Sequence, residues 1–179
     1  MEHAVRLDRY RPGSIGEVVR LHGAYYAANW GFSSRFEADV AAGLGTFVAR
    51  MDGDRDLFLT AWIGDTLAGS ATLDRTITGG DGADGEVARL RWFIVSDAAR
   101  GTGVGRLLLS HALAFADERG YRLVWLTTFA GLDAARHLYE SHGFRLVAET
   151  GEDKWHGGVG EQRFERRVDD DGPARAAGT

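Results

Sequence analysis

Residues 90–109, LRWFIVSDAARGTGVGRLLL, constrain the fold of this chain more than any other stretch. Residues 90–95 are rich in β-branched and aromatic side chains, Ser96 and Asp97 break the run, and apolar residues return at helical spacing beyond a glycine-rich turn. The pattern predicts a strand, a loop and a helix over 104–119. Gly101, Gly103 and Gly105 carry no Cβ, so several consecutive backbone N–H groups can point into one concavity at the start of that helix. Such a concavity binds anions, and phosphates above all.

The same loop excludes two kinds of phosphate ligand. A Walker loop needs Lys-Ser or Lys-Thr after its last glycine, where Arg106 and Leu107 stand here. The dinucleotide fingerprint needs a third Gly or Ala, which would fall on Arg106 counting from Gly101 or on Leu108 counting from Gly103. What remains is Arg100-x-x-Gly103-x-Gly105 opening a helix. It resembles the pyrophosphate loop of the GNAT superfamily of N-acetyltransferases, which holds acetyl-coenzyme A. A second stretch, Ala134-Ala135-Arg136-His137-Leu138-Tyr139-Glu140-Ser141-His142-Gly143-Phe144, looks like that superfamily's helix carrying A-x-x-L-Y and ending in a Gly-Phe turn. The two motifs stand in the right order, one helix and one strand apart. The closer likeness is to the acetyltransferase half of chains that also carry a MarR-type winged-helix regulator. It runs from about residue 5 to residue 168, and no regulator domain is read in these residues.

Length and composition narrow the rest. The 179 residues fit one domain, expected over 1–168. Residues 169–179 hold too little apolar surface to fold and are expected to be a disordered tail. With no cysteine, a disulfide framework, thiolate metal sites and a Cys nucleophile are excluded. His22 has no neighbour at metal-ligand spacing, so it reads as a packing or surface residue and no metal is expected. A net charge of −5 without a basic block argues against nucleic-acid binding. No apolar run approaches the length of a membrane span and the first residues lack a leader pattern, so a cytoplasmic protein is expected.

In chain order, residues 5–10 alternate as a strand, and Ser14 with Glu17 reads as the cap of a first helix. Tyr25, Tyr26, Trp30 and Phe32 surround the break before a second helix over 34–50. Residues 57–63 and 66–73 form a hairpin across Gly64-Asp65, with the turn type open. Residues 79–85 read as a solvated loop, 85–95 as a strand, 122–128 as a strand, 132–142 as a helix, and 144–148 and 162–168 as closing strands. The order gives an α+β fold with a mixed sheet, in which only the strands flanking the helix over 104–119 need run parallel. An exposed closing strand could pair with a partner's, giving a homodimer.

The resemblance adds the rest of the expectation. It implies the GNAT fold: six to seven strands, about four helices, and a parallel pair that splays apart to admit the pantetheine arm. The backbone of Phe93 and Val95 would meet that arm, and an amide near Phe93 or Ile94 would stabilise the oxyanion. The amides of Gly101, Thr102, Gly103, Val104 and Gly105, continuing to Arg106, would take the pyrophosphate, with Arg100 adding charge-assisted contacts. The aromatics around residues 25–32 would shape the acceptor entrance or simply pack. Acetyl-CoA would be the co-substrate and a small-molecule or protein amine the acceptor.

With no Cys and no Ser-His pair at motif spacing, direct attack by a primary amine is favoured over an acyl-enzyme. Tyr139 is the resemblance's candidate acid, since a phenol of pKa about 10 stays protonated at neutral pH; a tyrosine that only packs is the other reading. Where related chains often place a carboxylate, this one has Arg89. An arginine there would suit an acceptor carrying a carboxylate or phosphate, held as an ion pair. Glu86 is a candidate base, but it lies on the opposite face of a regular strand and would need a bulge to reach the acceptor. Water, Glu37 and Asp39 are its alternatives. A function of another class fits the same cleft: an acyl-CoA-binding regulatory module without turnover.

Overall fold

The computed structural model describes residues 4–75 and 86–168. The expected loop over 79–85 and tail over 169–179 lie outside the described residues. The elements follow in the order read from the sequence: β1 (Val5–Asp8), α1 (Ser14–Trp30), α2 (Ser34–Arg50), β2 (Leu57–Ile63), β3 (Thr66–Asp74), β4 (Val87–Val95), α3 (Val104–Glu118), β5 (Leu123–Phe129), α4 (Asp133–Ser141), β6 (Arg145–Glu149) and β7 (Glu161–Arg167). They form one seven-stranded sheet in the order β1-β2-β3-β4-β5-β7-β6. Every described pairing is antiparallel except β4 with β5, which the α3 crossover joins in parallel.

One local expectation is corrected. Ser14 is not the cap of α1 but its first helical residue, fully buried; Gly13 (φ 89°) takes the cap position and Ser14 Oγ donates back to the Arg11 carbonyl at 2.6 Å. The hydroxyl also accepts from the Arg11 amide at 3.4 Å, so it is engaged upstream and caps no amide of the helix. Of the two closing strands, β7 inserts between β5 and β6, and β6 forms the edge. The open turn type also resolves. Gly64 has φ 58° and Asp65 is not in the left-handed region, which fits a type II′ turn with glycine first.

Period-2 alternation sorts the central strands onto two cores. Ala88 and Leu90 of β4, with Val124 and Leu126 of β5, pack beneath α3 against Leu108, Leu109 and Ala112. On the other face α1 and α2 bring Val18, Leu44 and Phe47 onto Phe58, Trp62 and Leu67. Arg89, Arg91, Trp125, Thr127 and Phe129 share that second face by alternation. Arg91 is neutralised there: Asp74, almost fully buried, accepts from Arg91 at 3.0 Å and from Arg50 at 2.7 Å.

Candidate active site

The site begins where β4 and β5 part. Their parallel register runs Val87↔Leu123, Ala88↔Val124, Arg89↔Trp125 and stops, so residues 90–95 face residues 126–129 across a gap without ladder hydrogen bonds. A β-bulge lies beside it, in the pairing of β4 with β3. Ser70 pairs with Ile94 while Thr72 pairs with Arg91, leaving an extra residue on β4, and Trp92 takes φ 46°. Such a φ is strained for a bulky side chain and persists only when its surroundings fix it. Ser70 Oγ does so by donating to the Trp92 carbonyl at 2.7 Å, and the Trp92 ring lies against Gly43 of α2, where a Cβ would come within 3.1 Å of it. The bulge turns Arg91 and Trp92 to the same face, the guanidinium 4.0 Å over the indole.

Beyond the bulge the backbone alternates again. Ser96 N–H donates to the Ala68 carbonyl, and the Ile94 carbonyl points at Gly69, so residues 94 and 96 face β3. Phe93 and Val95 therefore turn their amides into the gap. This narrows the oxyanion donor expected at Phe93 or Ile94 to Phe93.

The gap continues into a cleft of about 780 Å³. At one end stands the glycine-rich loop. Gly101 (φ 76°) and Gly103 (φ 88°) bend the chain into α3, a conformation that side chains resist. The amides of Gly101, Gly103, Val104, Gly105 and Arg106 have no backbone acceptor among the described residues. Thr102 differs from the expectation: its amide and hydroxyl both turn back to the Ala99 carbonyl, at 3.3 and 2.6 Å, and it does not line the cleft. Val104 is 1% exposed in the core and, like Thr102, does not line the cleft. Gly105 is where α3 meets the strand closely; a Cβ there would lie 3.3 Å from both Val95 and Leu138. Arg100 and Arg106 line the cleft, and Arg100 pairs with Asp97 at 2.7 Å while stacking 4.3 Å over Tyr25.

Tyr139 of α4 reaches the middle of the cleft. Its ring is 4% exposed and packs edgewise on Phe93 and Phe144, with centroids 5.7 and 5.9 Å away. Burial, and then the neighbouring Tyr26, push its pKa well above the ordinary phenol value. The hydroxyl stays protonated through the working pH range.

The far end is walled by aromatics. Tyr26, Phe36 and Phe129 line it with Trp92 and Trp155, while Phe32 packs behind at 4% exposure. Of the aromatic group around 25–32, Tyr25 and Tyr26 line the cleft and the others support them. His22 also lines it, 5% exposed, its Nδ1 2.8 Å from the Val18 carbonyl; a carbonyl only accepts, so Nδ1 carries the proton. Desolvation lowers its pKa to about 4 despite that bond. Asp39 lines this end, but Glu37 does not.

Glu86 is not brought to the cleft. It sits exposed just before β4, and its carbonyl accepts from the amides of Arg122 and Leu123, tying it to the closed end of the parallel pair. The bulge that would have turned it lies beyond Arg89, too late in the strand to change the face of residue 86. Among the described residues no group of three His, Asp or Glu side chains could hold a metal ion.

The acetyltransferase (GNAT) family model matches residues 17–144, spanning both motifs and both splayed strands. The chain belongs to this family. No curated protein sequence matches it. Among solved structures, a GCN5-related N-acetyltransferase from Kribbella flavida is 22% identical with TM-score 0.72, over 92% of this chain and 98% of that one. The Salmonella typhimurium protein yncA, solved with its cofactor acetyl-CoA, is 16% identical with TM-score 0.71, over 97% and 99%. A ribosomal-protein-alanine N-acetyltransferase from Brucella melitensis is 17% identical with TM-score 0.69, over 91% and 99%. These likenesses establish the GNAT fold, which the mixed seven-stranded sheet and four α-helices display in full. The protein is an acetyltransferase by family.

Within that fold the structure brings together Tyr139, Phe93, Ile94, Val95 and the loop from Arg100 to Arg106, apart from Thr102 and Val104. Sequence reasoning passed over His22, Thr127 and Glu161 as cleft residues. Strand alternation could have flagged Thr127 once Phe129 was assigned to the aromatic end; nothing in spacing marked the other two.

Proposed function

We propose that this protein transfers the acetyl group of acetyl-CoA to a primary amine by direct attack, without a covalent enzyme intermediate. One observation carries the reading: four amides without a backbone acceptor at the start of α3, the free edge of β4 and a buried, protonated Tyr139 face one cleft. The amides of Gly101, Gly103, Gly105 and Arg106 suit a pyrophosphate. Phe93 and Val95 offer the strand edge that an extended pantetheine would extend. Acetyl-CoA supplies a thioester whose carbonyl carbon the amine attacks, forming the C–N bond as the C–S bond breaks.

The protein's own groups serve each stage. The Phe93 amide donates to the carbonyl oxygen as charge develops on it. The Tyr139 hydroxyl gives its proton to the departing sulfur and regains one from solvent. The proton lost by the attacking nitrogen passes to water or to Asp39; Glu86, outside the cleft, has no part in it. The acceptor, a small-molecule or protein amine, enters from the aromatic end. The likeness to the acetyltransferase half of MarR-bearing chains belongs to this reading, supported by the Arg100 and Tyr139 motifs, as do a cytoplasmic location and a homodimer through the β6 edge, where Val147 is half-exposed. Among the described residues no helix is long and apolar enough to cross a membrane.

The test is release of coenzyme A thiol with an amine panel, with the N-acetyl product identified by mass. Tyr139→Phe should lower turnover by roughly 10²- to 10⁴-fold with little change in acetyl-CoA affinity. A turnover within about threefold of the parent would remove Tyr139 from the mechanism. Tight acetyl-CoA binding with no thiol release from any amine would favour the regulatory module instead.

A further inference from the structure

Arg89 is an unusual residue to find at the closed end of the splayed pair. It is the last residue of β4 paired to β5, so its side chain sits where the gap begins, on the cleft face, beside Thr127 of β5. The guanidinium donates from Nη2 to Thr127 Oγ1 at 3.0 Å, and Nε is buried with no partner. Its plane lies 4.5 Å over the Trp125 ring, whose other cation, Arg163, stands at 4.2 Å. Burial, and then repulsion from Arg91, lower its pKa to about 10, partly offset by Glu161 and Asp74. It remains a cation at neutral pH.

For a residue kept only for stability, this arrangement is costly. A guanidinium taken out of water is repaid when its donors meet carboxylates in good geometry. Here the hydrogen-bonded partner is a neutral hydroxyl, and one N–H has none. Nearby charges do not close the deficit: Asp74 already holds Arg50 and Arg91, and Arg163 adds a second positive charge. Glu161 lines the same cleft and acts on Arg89 through space, and among the described residues it forms no ion pair with it. Lys154, over Trp155, with Asp39, Asp133, Arg91, Arg100 and Arg106, are the other charged groups lining the cleft.

We infer that Arg89 is the acceptor-recognition residue, and that the acceptor is a small amine bearing its own carboxylate, which the guanidinium fork holds at the closed end of the cleft. The inference rests on the acetyltransfer reading and names its substrate class. Stacking on Trp125 and the bond to Thr127 fix the fork's plane before the ligand arrives, which suits two-point recognition of a planar anion. The apolar walls of Tyr26, Phe36, Trp92, Phe129 and Trp155 fit an apolar body between carboxylate and solvent. An amino acid with an apolar side chain has both parts; its decarboxylated amine has the body alone.

The experiment compares each acid with its decarboxylated partner: phenylalanine with phenethylamine, leucine with 3-methylbutylamine, and methionine with 3-(methylthio)propylamine. Thiol release gives kcat/KM, and calorimetry with acetyl-CoA alone is run beside it. At least one acid should exceed its partner by on the order of 10- to 100-fold, mostly in KM, as expected for a charge-assisted pair. In Arg89→Met that ratio should fall to near one, and in Arg89→Lys it should be intermediate, because the charge remains without the fork. Circular dichroism melting checks that both variants fold, and the parent's ratio stands without them. Equal rates within every pair, a preference for the decarboxylated member, better turnover of an uncharged peptide amine, or a parent that binds acetyl-CoA but acetylates none of the acids would overturn the inference while leaving acetyltransfer standing. Failure to bind acetyl-CoA would overturn both.

Discussion

His22 shows how a single residue couples the cleft to stability. Its ring is buried on α1, donates Nδ1–H to the Val18 carbonyl and is neutral, with its pKa lowered from the ordinary 6.5 to about 4 by desolvation. A lowered histidine pKa means that the unfolded chain takes the proton first as pH falls. The contribution is therefore fully present above pH 6.5, erodes between 6.5 and about 4, and is gone below that; over this window it is worth about 3 kcal/mol. Urea unfolding of the parent and of His22→Asn across that range measures it, with the variant's stability expected to fall less steeply on acidification. Equal slopes would mean that the ring titrates in the folded state as it does in the unfolded one. None of this was legible in the sequence, where His22 was one polar residue on an apolar helical face. Tyr139 and Arg100 were legible because they sit in motifs, whereas the significance of Arg89 depends on which atoms surround its guanidinium.

At the scale of elements, periodicity was sufficient for order and type. Helical spacing over 104–119, strand-like runs at 57–63 and 66–73, and glycine stops after the helices gave the architecture, because each follows from side-chain geometry within one segment. The bulge was invisible: Trp92 is a good strand residue, and its φ of 46° is imposed by Ser70 and by the close approach of α2 at Gly43. Tertiary contacts wrote that feature beyond Arg89, so Glu86 keeps the face that regular alternation gives it. Ser70→Ala tests the imposition directly. It would remove the hydroxyl that satisfies the Trp92 carbonyl in a site where Ser70 is fully buried, so stability should fall by about 1–3 kcal/mol. Catalysis should suffer as well, since the bulge sets the phase of Phe93 and Val95. A denaturation midpoint and turnover both equal to the parent's would show that the bulge holds itself.

On the scale of the whole molecule, two cores clamp the sheet from both faces, and the fold leaves its central parallel pair unzipped between them. The loop at the start of α3 and the free edge of β4 belong to one concave surface only because α3 crosses over and returns through β5. Their joint use is the central claim: acetyl-CoA binds along that surface through backbone amides. Isothermal titration of acetyl-CoA into the parent and into Gly103→Asp tests it most directly. Gly103 has φ 88° and open space where a Cβ would stand, so an aspartate there costs some helix-start strain and places a carboxylate among the amides that would receive the pyrophosphate. The account predicts one site per chain in the parent and a loss of affinity of at least about 100-fold in the folded variant, from a lost charge-assisted site and a new repulsion. Unchanged affinity in a Gly103→Asp protein with native circular dichroism would contradict it.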